Sequence, residues 1–361
     1  MRKRNGLKSA ALAIAAFALV VSACGGDDAD DTASEDTVAE ETTEETTAPL
    51  PGAGVLACMV TDTGGVDDKG FNQISYEGMK KAEAELGVTI DLLESSSDAD
   101  YAPNLQAFAD KGCNITVTVG FLLGDATKAA AEANTDLNYA IVDFAYDPPV
   151  ANARGLVFAT DQPSFMAGYM AAAMTKTGTV ATYGGVNIPP VTVFMEGFRL
   201  GVEYYNAQKG TSVKLLGWDG KDGTFAGNFE SLDDGKNIAK SQADEGADII
   251  FPVAGPVGLG SAQFAKESGG SVRIIGVDVD MSKSNPDAAE VYIASVLKNI
   301  DAAVFAAIKD TVEGTATSDN YVGTLANGGV GVAFTDVPAE IQSEVEAIGA
   351  GIADGSIKIG G

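Results

Sequence analysis

Histidine is absent from this sequence, and its absence excludes several kinds of chemistry. A serine–histidine–aspartate triad, a metal site built on imidazole nitrogens and a histidine general base all need a residue that the chain does not have. The sequence also lacks the G-x-S-x-G nucleophile elbow, the G-x-x-x-x-G-K-[ST] phosphate loop and the acidic calcium loop of the EF-hand. We therefore expect no catalytic residues, no metal ion and no cofactor.

Positive charge is scarce, with 23 Lys and Arg residues against 51 Asp and Glu residues. Residues 1–23 hold four of the basic residues, which leaves 19 basic groups and a formal charge of about −32 for the rest of the chain. A negative charge of this size is unfavourable for binding the phosphate backbone of a nucleic acid and for direct adhesion to anionic lipid. We therefore expect no nucleic-acid partner.

No apolar run near the start of the chain is long enough to span a bilayer. The apolar stretch at residues 10–21 falls short of the roughly 20 residues that a spanning helix needs. It follows a basic opening formed by Arg2, Lys3, Arg4 and Lys8. This layout predicts a secretory signal peptide over residues 1–23.

Residues 21–24 read VSAC and resemble a bacterial lipobox, in which Cys24 would receive lipid. The alternative is ordinary cleavage nearby, with Cys24 incidental.

The segment after Cys24 has almost no large apolar side chains. Residues 25–51 contain ten Asp or Glu residues and no Lys or Arg. Such a segment cannot bury enough surface to offset its ordering entropy, and its like charges extend it. We therefore expect residues 24–53 to form a disordered, lipid-anchored tether. It would hold the protein at the outer face of the cytoplasmic membrane, with the lipid anchor as the only membrane contact.

Cysteine is rare, since Cys58 and Cys113 are the only others. They fall on the first and third predicted strands, which are neighbours if the strand order is 2-1-3. In an oxidising compartment they could pair, provided that their Cα atoms lie within about 7 Å. Buried free thiols are equally common in strands, so both interpretations stand.

The body alternates short β-rich runs with amphipathic helical stretches. The predicted strands cover residues 55–61, 88–93, 115–119, 139–143, 156–158, 180–183, 213–216, 249–254, 272–277 and 291–296. The predicted helices cover residues 72–86, 101–111, 127–133, 164–174, 192–208, 235–245, 261–267 and 300–312. This order predicts an α/β fold with two doubly wound parallel-sheet lobes and a ligand cleft between them. We assign residues 54–160 and about 281–318 to the first lobe, and 161–280 and about 319–361 to the second.

Polar or glycine residues follow four of the predicted strands, namely Asp62, Asp143, Gly255 and Asp278. Ligands in such sheets bind beyond the carboxyl ends of the strands, so these four residues are candidates for a site. The alternative is simple turn formation, since turns also favour Asp and Gly.

Several tracts resemble the basic membrane protein (BMP) family of lipoproteins. The first is residues 61–73, which read TDTGGVDDKGFNQ, directly after the first predicted strand. Further matches are residues 119–121 (VGF), 161–168 (DQPSFMAG), 194–201 (FMEGFRLG), 254–255 (AG), 276–280 (GVDVD) and 295–299 (SVLKN). The resemblance implies a type I periplasmic-binding-protein fold and a purine-nucleoside receptor that feeds an ATP-driven (ABC) importer. The chain departs from the family pattern at Gly70 and Met281.

The same resemblance implies roles for individual residues. Phe71 would stack on the base from the first lobe, and Phe229 from the second, with Phe225 as the alternative. Asp143 would contact the purine edge, with Asn72 and Asp62 beside it. Asp278 would accept hydrogen bonds from ribose hydroxyls, with Gly255 and Lys298 nearby. Phe71 could instead be a core aromatic, Asp143 and Asp278 turn residues, and Lys298 a solvated cation.

These observations predict an extracytoplasmic, monomeric solute-binding protein rather than an enzyme. One alternative is a binding protein for a sugar or a small signal molecule, although the lone Trp218 offers little for a sugar site. The other alternative is an acidic surface hydrolase. It would use the paired carboxylates at residues 67–68, 233–234 or 278 and 280.

Overall fold

The computed structural model describes residues 49–360. The predicted signal peptide, Cys24 and most of the predicted tether lie outside the described residues. Within them, strands and helices alternate along almost the whole chain, as the sequence pattern predicts. Among the described helices, none combines the length and the apolar character needed to cross a bilayer.

The strands form two six-stranded sheets. The first contains β1 (Leu56–Thr61), β2 (Thr89–Leu93), β3 (Ile115–Val119), β4 (Asn138–Val142), β5 (Ala153–Phe158) and β11 (Tyr321–Gly323). The second contains β6 (Thr179–Gly184), β7 (Lys214–Leu216), β8 (Ile249–Val253), β9 (Arg273–Asp278), β10 (Tyr292–Lys298) and β12 (Val330–Phe334). Their spatial orders, β2-β1-β3-β4-β5-β11 and β7-β6-β8-β9-β10-β12, are equivalent. Neighbouring strands in these sheets are parallel, apart from β10 and β12, which are antiparallel.

In the part of the chain that the structure describes, ten α-helices cover the sheets. They are α1 (Phe71–Leu86), α2 (Tyr101–Lys111), α3 (Gly124–Ala133), α4 (Asp161–Met174), α5 (Pro189–Lys209), α6 (Leu232–Asp244), α7 (Val257–Glu267), α8 (Met281–Ser284), α9 (Ile300–Val312) and α10 (Ala339–Ala353). The prediction of two doubly wound α/β lobes is confirmed by this arrangement.

The sheets are buried on both faces, which explains why the strands are apolar along their length. Successive side chains of a strand point to opposite faces. In β1, Ala57 and Met59 accordingly enter one core cluster, and Cys58 and Val60 enter another on the opposite face. All four side chains are fully buried.

The chain passes between the two sheets three times. It leaves the first sheet after β5, returns after β10 when α9 packs against α1, and crosses again between β11 and β12. The predicted placement of residues 281–318 in the first lobe is therefore wrong for residues 281–298. The placement of residues 319–361 in the second lobe is wrong for β11, which pairs with β5 in the first sheet. Strand β10 pairs with β9 in the second sheet, and Met281, Val291 and Tyr292 are part of that lobe's core. The apolar pattern marks a strand but does not say which sheet it joins.

Three elements near the end of the chain have no counterpart in the sequence prediction. They are β11, β12 and α10. Strand β11 has only three residues, and β12 begins after the glycines at residues 328–329. Neither offers the long apolar run by which the other strands are recognisable.

Cys58 and Cys113 form a disulfide, with their Cα atoms 6.0 Å apart. Strands β1 and β3 are neighbours, so the expected 2-1-3 order is confirmed. Cys113 lies just before β3 rather than on it. The bond lies in the buried cluster that also contains Val60 of β1. Of the two interpretations that the sequence left open, the disulfide is therefore the correct one.

Candidate ligand-binding site

One cavity lies where the carboxyl ends of strands from the two sheets face each other. Its empty volume is about 650 Å³, including space open to solvent. The cavity wall is mostly apolar and aromatic, with a few polar side chains among them. This composition is typical of a site that binds a small organic molecule.

All eight residues that the sequence analysis singles out line this cavity. They are Asp62, Phe71, Asn72, Asp143, Phe229, Gly255, Asp278 and Lys298. The topology explains why they meet, because parallel strands of one sheet end at the same edge. Residues at or just after the ends of β1, β4, β8 and β9 are therefore brought together from distant parts of the sequence.

Two phenylalanine rings reach the cavity from different lobes. Phe71 is the first residue of α1, and Phe229 lies in the glycine-rich connection between β7 and α6. The Phe229 ring lies against Gly185, where an added Cβ atom would overlap it. Phe225 instead stands edge-on to Trp218, with ring centroids 6.3 Å apart, and is not part of the cavity wall. Of the two aromatics that the sequence left open, Phe229 is the one that faces the cavity.

A buried cation, Lys298, lies between two carboxylates in the cavity wall. Its Nζ atom is 2.5 Å from Oδ2 of Asp143 and 3.9 Å from Oδ1 of Asp278. The lysine side chain is 3% exposed and each carboxylate side chain 10%. Three rings also lie within 4.9–5.5 Å of the ammonium group, those of Phe71, Phe158 and Phe194. Because Asp143 follows β4 and Lys298 ends β10, this cluster joins the two lobes.

Asp143 and Asp278 have the same unusual backbone conformation at equivalent strand ends. Their φ angles are 67° and 68°, in the left-handed region that few residues other than Gly, Asn and Asp adopt. Burial raises the pKa of Asp278 to about 6, and the charge of Lys298 opposes that rise. Asp278 is therefore mainly ionised at neutral pH, and in that state its two oxygens only accept hydrogen bonds.

Asp62 is in a more negative environment. Burial raises its pKa to about 8; the hydrogen bond from Asn72 opposes this rise, and the charges of Asp68, Asp143 and Glu230 add to it. Asn72 Nδ2 donates to Asp62 Oδ1 at 3.0 Å and to the Thr63 carbonyl at 3.3 Å. At neutral pH Asp62 is therefore largely protonated and can donate a hydrogen bond.

Asp68 fixes the start of α1, although the sequence analysis noted it only as one of a pair of acids. Its carboxylate accepts backbone N–H bonds from Gly70 and Asn72, both at 2.8 Å, and from Gln73 at 3.0 Å. These bonds satisfy N–H groups that the helix itself leaves free. They also hold Phe71 and Asn72 in place at the cavity. An acid just before a helix start is a recognisable capping signal.

Other lining residues carry no role in the sequence analysis. Among them are Phe121, Leu122, Ile188, Val191 and Phe194. They supply the apolar part of the wall. Two of them belong to tracts that matched the family, residues 119–121 and 194–201, so the resemblance marks the segments without assigning the side chains a function.

Two other members of the acid pairs, Asp280 and Asp234, have local structural partners. Asp280 accepts the backbone N–H of Ser282 at 3.2 Å and pairs with Lys283 at 2.9 Å. Asp234 accepts from the side chain of Asn228 at 2.9 Å. Within residues 49–360, no group of three or more Cys, Asp or Glu side chains is arranged to hold a metal ion.

Comparison with known proteins gives one family match over almost the whole body. Residues 55–359 match the family model Bmp, described as "ABC transporter substrate-binding protein PnrA-like". A curated relative, "ABC transporter nucleoside-binding protein BmpA" of Lactococcus lactis subsp. cremoris, is 29% identical over 325 residues. That alignment covers 84% of this chain and 88% of the relative.

Two further comparisons support the same match. "Basic membrane protein A" of Borreliella afzelii is 34% identical over 226 residues, which is 62% of this chain and 66% of that protein. This alignment thus spans just under two thirds of that relative's length. Among solved structures, an ABC transporter solute-binding protein from Aeropyrum pernix K1 superposes with a TM-score of 0.76 at 26% identity. It covers 84% of this chain and 92% of its own.

Proposed function

Because the chain belongs to the family of PnrA-like ABC transporter substrate-binding proteins, we propose that it captures purine nucleosides outside the cytoplasm for an ATP-driven importer. One observation carries the choice of ligand. Two phenylalanine rings, Phe71 and Phe229, reach one cavity from opposite lobes, beside buried carboxylates and a buried lysine. The name of the Lactococcus relative, a nucleoside-binding protein, supports the same choice.

The proposed ligand suits the chemistry of this wall. A purine has two flat faces, so one ring from each lobe can sandwich it, and base–aromatic stacking contributes about 1–3 kcal/mol per base. Asp143, Asn72 and Asp62 would contact the edge of the base. Ionised Asp278 would accept hydrogen bonds from ribose hydroxyls, with Lys298 and Gly255 beside it. Binding would draw the two lobes together, because the ligand contacts both of them.

We expect wild-type protein to bind adenosine, inosine or guanosine one-to-one and without forming a product. At a ligand concentration 100 times the Kd, binding should stabilise the fold by about 2.7 kcal/mol. Calorimetry and thermal unfolding measure the two effects, and chromatography of the recovered ligand tests for a product. Ribose, glucose and galactose serve as controls. Stabilisation by these sugars but by no nucleoside would contradict the proposal, and release of a free base would favour an enzyme.

The proposed location rests on residue Cys24 as a lipid anchor. We expect the Cys24→Ser variant to move from the detergent phase to the aqueous phase in Triton X-114 partitioning, because losing the lipid removes most of the membrane affinity. Wild-type protein should remain in the detergent phase. Equal partitioning of the two proteins would show that Cys24 carries no lipid.

A further inference from the structure

A set of contacts outside the ligand cavity joins the two lobes. In the first lobe, Lys69 lies between β1 and α1. In the second, Ser284 and Asn285 lie at the end of α8. Lys69 Nζ donates to Asn285 Oδ1 at 3.2 Å, and the hydroxyl of Ser284 donates to the Lys69 carbonyl. We propose that these three residues form an interlobe latch that sets how long the ligand is retained.

The acceptor for Lys69 is built into the second lobe. Asn285 is 7% exposed, and its Nδ2 atom donates to the hydroxyl of Tyr292 at 3.2 Å. Tyr292 is itself buried in the core of that lobe. This bond fixes which side of the amide points outward, so Oδ1 is directed at the first lobe before Lys69 arrives. A preorganised acceptor of this kind loses little entropy when the contact forms.

Lys69 is held in an equally specific position. Its φ angle is 61°, in the left-handed region that a lysine rarely adopts. The flanking residues keep it there, because the Asp68 carboxylate accepts the backbone N–H groups of Gly70, Asn72 and Gln73. Such local strain persists only where the surroundings determine it, and it is concentrated at functional segments.

Both sides of the latch are continuous with the ligand cavity. Lys69 lies directly between Asp68 and Gly70, and Phe71 follows. On the other side, Ser284 and Asn285 come six and seven residues after Asp278, which lines the cavity. A second hollow, of about 350 Å³ including space open to solvent, is lined by Asp68 and Gly70 of the first lobe and by Asp278, Met281 and Tyr292 of the second, among others. Because Lys69 belongs to one lobe and Ser284 and Asn285 belong to the other, opening the lobes to release a ligand must break their contacts.

We expect Lys69→Met to raise the dissociation rate constant of adenosine and inosine about tenfold, while the association rate constant changes less than threefold. Tenfold corresponds to about 1.4 kcal/mol, in the range for one hydrogen bond to a charged group. Methionine keeps the apolar stem and the same backbone strain. Asn285→Ala should act alike, and the double variant should add little to either. Stopped-flow displacement of the nucleoside measures all three. This expectation rests on the proposed function.

Lys283→Met is the matched control, since Lys283 is 84% exposed and pairs only with Asp280 of its own lobe. Its dissociation rate should equal that of wild type. Asn285→Asp separates a latch from a structural role, because the aspartate can bind Lys69 and accept a hydrogen bond from the Tyr292 hydroxyl. Its dissociation should be no faster than wild type. Unchanged dissociation in Lys69→Met, or equal acceleration by Asn285→Asp and Asn285→Ala, would overturn the latch.

A ligand-free measurement separates failure of the latch from failure of the proposed function. Spin labels on Glu85→Cys in α1 and Ser241→Cys in α6, in a Cys24→Ser background, report the distance between the lobes. Without ligand, Lys69→Met should shift the distribution to longer distances, and Lys283→Met should not. If wild type binds no nucleoside but this shift occurs, the latch stands and the proposed ligand is wrong. Identical distributions would overturn the latch whatever the ligand.

Discussion

Replacing Asp278 with alanine should weaken the binding of a purine nucleoside at least about tenfold and leave the binding of its free base nearly unchanged. Asp278 is buried, mainly ionised at neutral pH and directed into the cavity from the end of β9. If two ribose hydroxyls donate to it, a free base leaves the charged group without those partners. That loss costs at least about 1–3 kcal/mol, and about 1.4 kcal/mol is one decade of affinity. Wild type should therefore prefer nucleoside over base by about tenfold or more.

Calorimetry with adenosine and adenine, and with guanosine and guanine, measures this preference in each variant. Phe71→Ala is the comparison variant, since losing a stacking surface should weaken nucleoside and base alike. The preference should also decline below about pH 6, where Asp278 takes up a proton and becomes a poorer acceptor. If Asp278→Ala keeps the wild-type ratio of nucleoside to base affinity, the ribose assignment is wrong.

Much of the fold could be predicted because parallel strands buried on both faces leave a strong apolar signal. All ten predicted strands are present, and six of the eight predicted helices begin one to four residues earlier than expected. Two of those early starts are at a proline-led or capped turn, where the apolar period has not yet begun. Helix α5 starts with Pro189–Pro190, and the Ser231 side chain before α6 accepts the backbone N–H of Asp234. What could not be predicted is the exchange of elements between the lobes. Whether β10 joins one sheet or the other depends on tertiary packing.

In the candidate site, too, some residues could be predicted from the sequence and others could not. Residues at strand ends were identifiable because topology alone brings the ends of parallel strands together. Asp143 and Asp278 are of this kind. The Lys298–Asp143 contact could not be predicted, because the two residues are 155 positions apart and on different sheets. Phe229 could not be separated from Phe225 either, since the choice depends on the path of a glycine-rich loop over Gly184 and Gly185. That all of these residues contact a ligand remains a prediction.

The second large effect concerns Lys298 and the stability of the protein without ligand. Its Nζ atom is 2.5 Å from Asp143 and 3.9 Å from Asp278, and all three side chains are at most 10% exposed. Removing one partner of a buried ion pair leaves charge unpaired in a poorly solvated place, which costs about 3–5 kcal/mol. We expect Lys298→Met to lower the free energy of unfolding by about that amount at pH 8, measured by urea denaturation. The methionine retains most of the packing against Phe71 and Phe194.

The loss should be smaller at pH 5 than at pH 8. Burial raises the pKa of Asp278 and Lys298 lowers it, so the variant's Asp278 has a pKa above the wild-type value of about 6. A carboxyl whose pKa is raised in the folded state takes up more protons folded than unfolded, so its contribution to stability falls as pH rises. In the variant, the contribution of Asp278 to stability therefore keeps falling to a higher pH than in wild type, so the two proteins differ more at pH 8 than at pH 5. Lys309→Met is the control, since it breaks an exposed ion pair with Glu313. It should lower the free energy of unfolding by about 0.5 kcal/mol or less at both pH 5 and pH 8.

A second substitution shows whether unpaired charge is the cause. Adding Asp143→Asn to Lys298→Met removes one of the two carboxylates that the lysine faces and keeps the shape of the side chain. The double variant should recover about half of the lost stability at pH 8. Lys298→Met leaves two buried carboxylates, Asp143 and Asp278, without their cation, whereas the double variant leaves only Asp278. If Lys298→Met costs the same at pH 5 and pH 8, and Asp143→Asn restores nothing, then the lysine stabilises the lobes through packing alone. The charge-based account of the site would then be wrong.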